Sequence, residues 1–304
     1  MKIKSVCLTA AFAALLIITT PPNSRAQKAE TPAASTQPAA SVEYMDLIKE
    51  DYSFLNGKTV TAVFDRWSEQ TLKEITNITY NCFIDKLKYS NSLTGCLAML
   101  KSGRADLMMT TDLSSVYAAQ RNSDMKAYIC KQDFGAVMML RASEIALRDL
   151  FNGAIKKLQD SGRLDELRQK WIKEFPAGGE PEINNIEKIN GAETIFVGVS
   201  GDMPPLDYVS ADGRPAGFNA ALLGDISKEL GKNIEIVTLD SQARFAALES
   251  KKIDVFFWIV MPIIESVKEI KNDNQNSDEL AFHKKYIVTI PYCKVKNAFL
   301  IMKY

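Results

Sequence analysis

Residues 197–208 read VGVSGDMPPLDY. The apolar start predicts a buried strand, and the polar, proline-stiffened continuation predicts a loop at the end of that strand. This pattern has the form of the first strand of a domain. It nevertheless lies about two thirds of the way along a chain of 304 residues, so the segments on both sides of it decide how the chain is organised.

Strands and helices alternate on both sides of this stretch. Downstream, the sequence predicts helices at 218–230 and 244–250 and strands at 234–239, 253–260, 287–292 and 297–302. Upstream, it predicts strands at 58–64, 105–110 and 134–140 and helices at 93–100, 144–159 and 164–175, with one more helix after its N-cap Ser68. This alternation predicts an α/β fold of parallel βαβ units, in which ligands bind at the carboxyl ends of strands. Asp112 and the 201–208 loop both follow predicted strand ends.

The composition excludes several classes of function. Lys plus Arg and Asp plus Glu both number 37, so the net charge is zero and no basic field favours nucleic acid. His283 is the only histidine in the chain. A histidine-based catalytic triad or a multi-histidine metal site therefore has almost no material, and we expect no metal and no cofactor.

The N-terminus has the features of a targeting segment. Lys2 and Lys4 precede an apolar stretch, and Ser24 to Ala26 offers small residues for cleavage, so residues 1–26 are predicted to be a signal peptide and 27–44 a flexible tether. A retained membrane anchor is the alternative. Export to the periplasm would permit disulfides, but the sequence does not choose a pairing among the remaining cysteines, Cys82, Cys96, Cys130 and Cys293.

Three motifs after residue 194 carry a family resemblance. They are VGVSGDMPPLDYVSADGRPAGFNAALLGDISKELG, RFAALESKKIDVFF and TIPYCKVKNAFLIMK. They resemble the first half of the type II periplasmic solute-binding proteins, specifically extracellular solute-binding family 3, whose members take polar amino acids. The earlier motifs LNGKTVTAV, LAMLKSGRADLMMTTD and LFNGAIKKLQDSGRLDELRQKW resemble the second half of the same family.

The two halves thus stand in reversed order, which favours a circularly permuted, two-lobed fold. The implied organisation is a second-lobe segment at 45–142, closing helices that pack on the first lobe at 143–175, a linker at 176–193 and a first-lobe segment at 194–304. Only one covalent connection between the lobes is then expected, near residues 134–142. A monomer is expected. The alternative is a fragment of a tandem duplication that needs a partner chain or a domain swap.

The resemblance also implies site residues. Asp112 matches the family's acceptor for the solute ammonium, with a helix N-cap as the alternative role, and Asp202 matches the acidic residue after the first strand. The family's Thr-Pro-Glu-Arg is replaced here by residues 261–264, MPII, so its hydroxyl and its guanidinium are missing. Replacement ligand-binding groups are sought among polar and aromatic residues, for which solvated charge or core packing is the alternative: Ser68, Arg66, Trp67, Tyr208 and Trp258.

The function implied by the resemblance is capture of a small polar solute, an amino acid or a related amine or carboxylate, between two lobes. The expected membrane partner is an ABC transporter component or a sensor. Catalysis is not expected. Two alternatives stay open: an enzyme on the same scaffold, of the dehydratase kind, and a degenerate module that docks a partner without binding a solute.

Overall fold

The computed structural model describes residues 48–49, 51–64, 68–174, 185–262 and 282–303. The predicted signal peptide and tether, part of the predicted linker, and Arg66 and Trp67 lie outside these ranges. The strands are β1 Ile48–Lys49, β2 Thr59–Val63, β3 Lys86–Ser90, β4 Leu107–Thr111, β5 Met125–Arg141, β6 Thr194–Val199, β7 Asp202–Met203, β8 Asp207–Val209, β9 Pro215–Ala216, β10 Asn233–Thr238, β11 Val255–Pro262, β12 Tyr286–Val288 and β13 Cys293–Met302. The helices are α1 Glu69–Tyr80, α2 Leu93–Lys101, α3 Asp112–Arg121, α4 Ile145–Asp160, α5 Arg163–Arg168, α6 Phe218–Leu230 and α7 Ser241–Glu249.

Two groups of parallel strands flank a centre of long antiparallel strands. In half A, β2 pairs in parallel with β3 and with β4. In half B, β6 pairs in parallel with β10 and with β11. The sequence of strands and helices predicts these parallel units, and the structure confirms a mixed α/β fold with a large sheet flanked by helices. A separate hairpin sheet, β7-β8-β9, lies directly after β6.

The halves are joined into one ten-stranded sheet by β5 and β13. The second part of β5 pairs with β11 and its first part with the end of β13. β13 runs antiparallel to β5 over most of its length, and its end also pairs with β4 of half A. The expectation of one covalent connection between the lobes is therefore wrong, because both β5 and β13 pass through the two halves.

Local sequence signals explain where several helices begin and end. Ser68 caps α1, and its hydroxyl accepts the backbone N–H of Thr71 at 3.0 Å, as the sequence predicts. The helix predicted at 218–230 is observed with those bounds and ends at Gly231, whose left-handed backbone suits a residue without a Cβ. β5 is longer than predicted, because the sequence pattern shows only its apolar second part.

Helices α4 and α5 pack against α6 of half B. Arg163 at the start of α5 donates to Asp225 on α6 at 2.7 Å, and Lys157 on α4 pairs with Glu229 on α6 at 3.3 Å. These two surface ion pairs accompany the apolar contact, in which Phe151, Ile155 and Leu158 of α4 are buried in the largest core cluster. α5 continues as a short π-helix, Gln169–Glu174.

The cysteines predicted to survive signal cleavage are all described, and all four carry free thiols. Burial raises the pKa of the thiols of Cys96 and Cys293 to about 11 and that of Cys130 to about 12. Cys82 is half-buried, and burial raises its pKa less. The structure therefore gives no disulfide pairing for an exported form.

This arrangement predicts very unequal thiol reactivity. With the native protein without residues 1–26 at pH 8, we expect Ellman's reagent to modify at most Cys82 on the time scale of minutes, since the thiolate is the reactive form. Unfolding in guanidinium chloride should release all four thiols. Cys82→Ser should remove the fast phase, and a fast phase that survives this substitution would contradict the burial of the other three.

Candidate functional site

The loop that follows β6 is fixed by a buried carboxylate. Asp207 accepts hydrogen bonds from the Ser200 hydroxyl at 2.5 Å, from the Gly201 N–H at 2.7 Å and from the Asn219 side-chain amide at 2.9 Å. Its side chain is 2% exposed. The first two donors belong to the loop and the third to the first turn of α6, so Asp207 joins the strand end to the helix that follows.

Two glycines allow the loop to follow this path. Gly201 has φ +70°, and a Cβ there would lie 2.5 Å from the Thr238 side chain. Gly217, directly before α6, has φ +102°, and a Cβ there would lie 2.5 Å from the carbonyl oxygen of Leu206. Both positions need a residue that adopts positive φ and lets another chain segment approach closely. The loop is therefore shaped by sequence as well as by hydrogen bonds.

Asp202 lies on β7, opposite Tyr208 in the hairpin register. Its carboxylate faces the N-terminus of α2 in half A and lies 3.4 Å from the backbone N–H of Thr94. Burial raises the pKa of the Asp202 carboxyl, and the nearby Asp207 raises it too, whereas the N–H groups of α2 and the guanidinium of Arg244 lower it. The favourable helix N-terminus thus offsets only part of the cost of burying this charge.

The raised pKa predicts a stabilising substitution. Between the ordinary value of 3.8 and the raised value, the folded state keeps the proton that the unfolded state has lost, so stability falls as pH rises through this window. At pH 7 the full penalty is present. Asp202→Asn keeps an acceptor for Thr94 without the charge and should raise the melting temperature at pH 7 by roughly 2 °C. Thermal unfolding at pH 7 and pH 3.5 checks this, and a gain that is equal at both pH values would contradict it.

Arg244, for which the sequence predicts only a place in a short helix, is a buried cation of half B. It lies in the first turn of α7 and is 4% exposed. Its guanidinium donates to the carbonyl of Phe257 at 2.7 Å and lies 4.3 Å from the ring centre of Phe256. Its charge also acts on Asp202 and on Tyr292. Half B therefore holds a buried arginine although residues 261–264 lack the family's arginine.

Asp112 is the first residue of α3 and is buried. The N-cap position is occupied by Thr111, whose side chain makes no capping hydrogen bond, and Asp112 is the first helical residue. One carboxylate oxygen of Asp112 accepts the backbone N–H of Lys296 at 3.0 Å, on the part of β13 that passes between the halves. The hydroxyls of Thr111 and Ser114, on either side of Asp112, are buried without a hydrogen-bond partner. A polar group placed there would meet two unsatisfied hydroxyls.

The other predicted site residues either serve the fold or lie outside the described residues. Ser68 uses its hydroxyl as the cap of α1. Tyr208 and Trp258 are 8% and 7% exposed and belong to the largest core cluster, in agreement with the alternative of core packing. Arg66 and Trp67 lie outside the described residues. The structure thus brings Asp202 and Arg244 together in half B, with Asp112 at the central strands.

The halves also touch each other directly beside Asp202. The carbonyl of Asn91, in half A, accepts two hydrogen bonds from Ser241 in half B. The backbone N–H of Ser241 lies at 3.1 Å and the Ser241 hydroxyl at 3.0 Å. The rings of Phe64 in half A and Phe245 in half B meet edge to face, with centroids 5.9 Å apart. These contacts place α2 of half A and α7 of half B with their N-terminal turns at the same seam.

Within the described ranges, no group of three or more His, Cys, Asp or Glu side chains is placed to hold a metal ion. No helix in these ranges combines the length and the apolar character that a membrane crossing requires.

A comparison with known families confirms the resemblance for one segment. Residues 195–261 match the model of the bacterial extracellular solute-binding proteins, family 3. This segment runs from β6 through the loop of Asp202 and the helix of Arg244 to β11. The reversed order of the two halves stays a prediction.

Curated relatives match at low identity. The chain is 26% identical over 122 residues to the arginine-binding extracellular protein ArtP of Bacillus subtilis, a match that covers 39% of this chain and 46% of the relative. It is 29% identical over 134 residues to the ABC transporter glutamine-binding protein GlnH of the same organism, covering 43% and 46%. For the L-cystine-binding protein TcyJ of Escherichia coli the values are 30% over 70 residues, covering 23% and 26%. The matches span less than half the length of these relatives, all of which are binding proteins by name.

Solved structures resemble the chain more distantly. The ligand-binding component of an ABC-type import system from Staphylococcus aureus is 13% identical with a TM-score of 0.39, over 80% of this chain and 65% of that one. The GluR0 ligand-binding core from Nostoc punctiforme is 13% identical with a TM-score of 0.33, over 81% and 84%. Such scores carry no functional argument.

Proposed function

We propose that this chain is an exported solute-binding protein that captures a small polar solute, an amino acid or a related amine or carboxylate, between halves A and B. The observation that carries the proposal is the pair Asp202 and Arg244. A carboxylate and a buried guanidinium lie in half B at the seam with half A, and they offer the opposite charges that an ammonium and a carboxylate need. Asp112, with the unsatisfied hydroxyls of Thr111 and Ser114, adds acceptors at the central strands.

Arg244 takes over, in this proposal, the role of the arginine that residues 261–264 lack. It reaches the seam from α7 instead of from the end of β11. The positive charge of Arg244 lowers the pKa of Asp202 and so stabilises its carboxylate. A solute carboxylate bound at Arg244 competes with Asp202 for this positive charge. A solute that carries both an ammonium and a carboxylate is therefore expected to bind more tightly than a solute of equal size that carries only one of them, because it meets Asp202 and Arg244 at once.

The remaining parts of the proposal follow the sequence. Residues 1–26 direct export to the periplasm, and the exported form is a monomer that delivers its solute to an ABC transporter component or a sensor, without a cofactor and without catalysis. The domain boundaries 45–142, 143–175, 176–193 and 194–304 describe a circularly permuted relative of family 3. The family model supports the last of these segments, where residues 195–261 match.

Titration of the chain without residues 1–26 tests the proposal. Calorimetry and thermal shift should be run against arginine, glutamine, cystine, small amines and small dicarboxylates. We expect one class to bind with a Kd in the micromolar range, on the order of −8 kcal/mol, and to raise the melting temperature. Arg244→Lys should weaken carboxylate solutes more than amines. No response to any class would overturn the proposal.

A second function is favoured by one observation. Asn91 and Ser241 join the halves through direct hydrogen bonds, and Phe64 and Phe245 pack across the seam. A module that docks a partner without binding a solute would keep such contacts permanently. The same titration separates the two functions, because this module would bind its partner but no solute.

A further inference from the structure

The first turns of two helices, one in each half, are satisfied by acceptors from the opposite half. The Thr94 N–H of α2, in half A, faces the carboxylate of Asp202 in half B at 3.4 Å. The Ser241 N–H of α7, in half B, donates to the carbonyl of Asn91 in half A at 3.1 Å. The arrangement is reciprocal.

Such donors have no partner within their own helix, because the first four N–H groups of an α-helix lack an intrahelical acceptor. Each helix also has an N-cap side chain of its own, which accepts a different N–H group and leaves the Thr94 and Ser241 N–H groups without an acceptor among the described residues of their own half. Ser92 accepts the Gly95 N–H in α2, and Asp240 accepts the Ala243 N–H in α7. The acceptors from the opposite half therefore satisfy donors that separation of the halves would leave to water. Ser241 is fully buried, so its contact belongs to the interior of the seam.

We propose that reciprocal capping of α2 and α7 is a latch that holds the two halves closed, so that closure is stabilised by the chain itself as well as by a solute. The inference deepens the proposed function, because it concerns the movement of the same cleft, and it rests on that function only for its biological meaning. The Phe64–Phe245 contact lies on the same seam and adds an apolar component. A solute group that takes either acceptor or either donor would act directly on this latch.

Ser241→Pro is a sharp test of the latch. Ser241 is the first residue of α7, where proline is tolerated because its N–H makes no intrahelical bond. The preceding Asp240 has φ −64° and ψ 162°, the extended conformation that a residue before proline prefers. The substitution removes both donors to the Asn91 carbonyl, and the new sequence can still form the helix. Ser241→Ala removes only the hydroxyl donor and should give a smaller effect.

The measurement is amide hydrogen exchange of the chain without residues 1–26, with no solute added. In Ser241→Pro we expect the Thr94 amide, on the opposite half, to exchange at least about tenfold faster, as the loss of two hydrogen bonds would give. Asp202→Ala, which removes the other acceptor, should speed exchange at Ser241. Ser250→Ala is the matched control, because it removes a hydroxyl donor at the opposite end of the same helix, within half B.

Unchanged exchange at Thr94 in a folded Ser241→Pro protein would overturn the latch. If that variant does not fold, Ser241→Ala and Asp202→Ala decide the question through the same two amides. The outcomes are distinct from those of solute titration. Exchange that responds while no solute binds supports the latch and overturns only the proposed function, whereas solute binding with unresponsive exchange overturns only the latch.

Discussion

Replacing Arg244 by alanine is expected to lower the free energy of unfolding by about 3 kcal/mol, the cost typical of breaking a buried, hydrogen-bonded charge site. The carbonyl of Phe257 would lose its donor, the ring of Phe256 would lose its cation, and Asp202 would lose a positive neighbour. Because Arg244 is only 4% exposed while the two halves are in contact, water replaces these contacts poorly. The melting temperature should fall by roughly 6–12 °C.

Urea unfolding of three further variants tests whether the loss of stability comes from the guanidinium of Arg244. Arg244→Lys keeps the charge but not the planar stacking surface or the donor fork, and should lose about half as much stability. Arg104→Ala, an exposed arginine of half A, is the control and should change stability by less than about 0.5 kcal/mol. Asp202→Asn should stabilise the Arg244→Ala protein more than it stabilises the natural chain. Equal gains would show that the two charges do not interact.

Replacing Asp207 by alanine is expected to have an effect of similar size for a different reason. Three buried donors, from Ser200, Gly201 and Asn219, would be left without their acceptor. Leaving buried donors unsatisfied costs about 1–3 kcal/mol each, part of which is recovered by relaxation, so a loss of about 3–4 kcal/mol is expected. Since Asp207 fixes the loop that carries Asp202, solute affinity should fall as well.

The comparison of Asp207→Asn with Asp207→Ala tests this explanation. Asparagine fills the same volume but has one acceptor oxygen and places N–H groups against existing donors. We expect it to recover less than half of the stability lost in the alanine variant, measured by urea unfolding. Recovery of full stability by asparagine would mean that volume, and not acceptance of hydrogen bonds, is what the site requires. Ser210→Ala, in the neighbouring turn, controls for general loosening of the hairpin.

Periodicity and capping signals predicted most individual elements. The bounds of α6, the cap at Ser68 and the strand before Asp112 could be read from the chain, because each depends on residues within one or two turns. Family resemblance added Asp202, and the family model confirms the segment that contains it. These predictions rest on local patterns that tertiary packing did not override.

The missed features depend on contacts between distant segments. The sequence predicts only a short helix beginning at Arg244, and the approach of Phe256 and Phe257 from β11 makes this residue a buried cation. β5 begins well before the predicted strand at 134–140, and its first part is held by pairing with β1 and with the end of β13, which lie far away in the chain. The passage of β13 through both halves follows from pairing with β4, which no local pattern reveals.

The position of β13 in the sheet affects the order in which the strands can pair while the chain is synthesised. β13 lies between β4 and β5 in the sheet, yet it is the last of the strands in the described residues. During synthesis, one side of β4 stays without its strand partner until β13 has been made, although β2 already covers the other side. Pairing between such distant segments also slows folding.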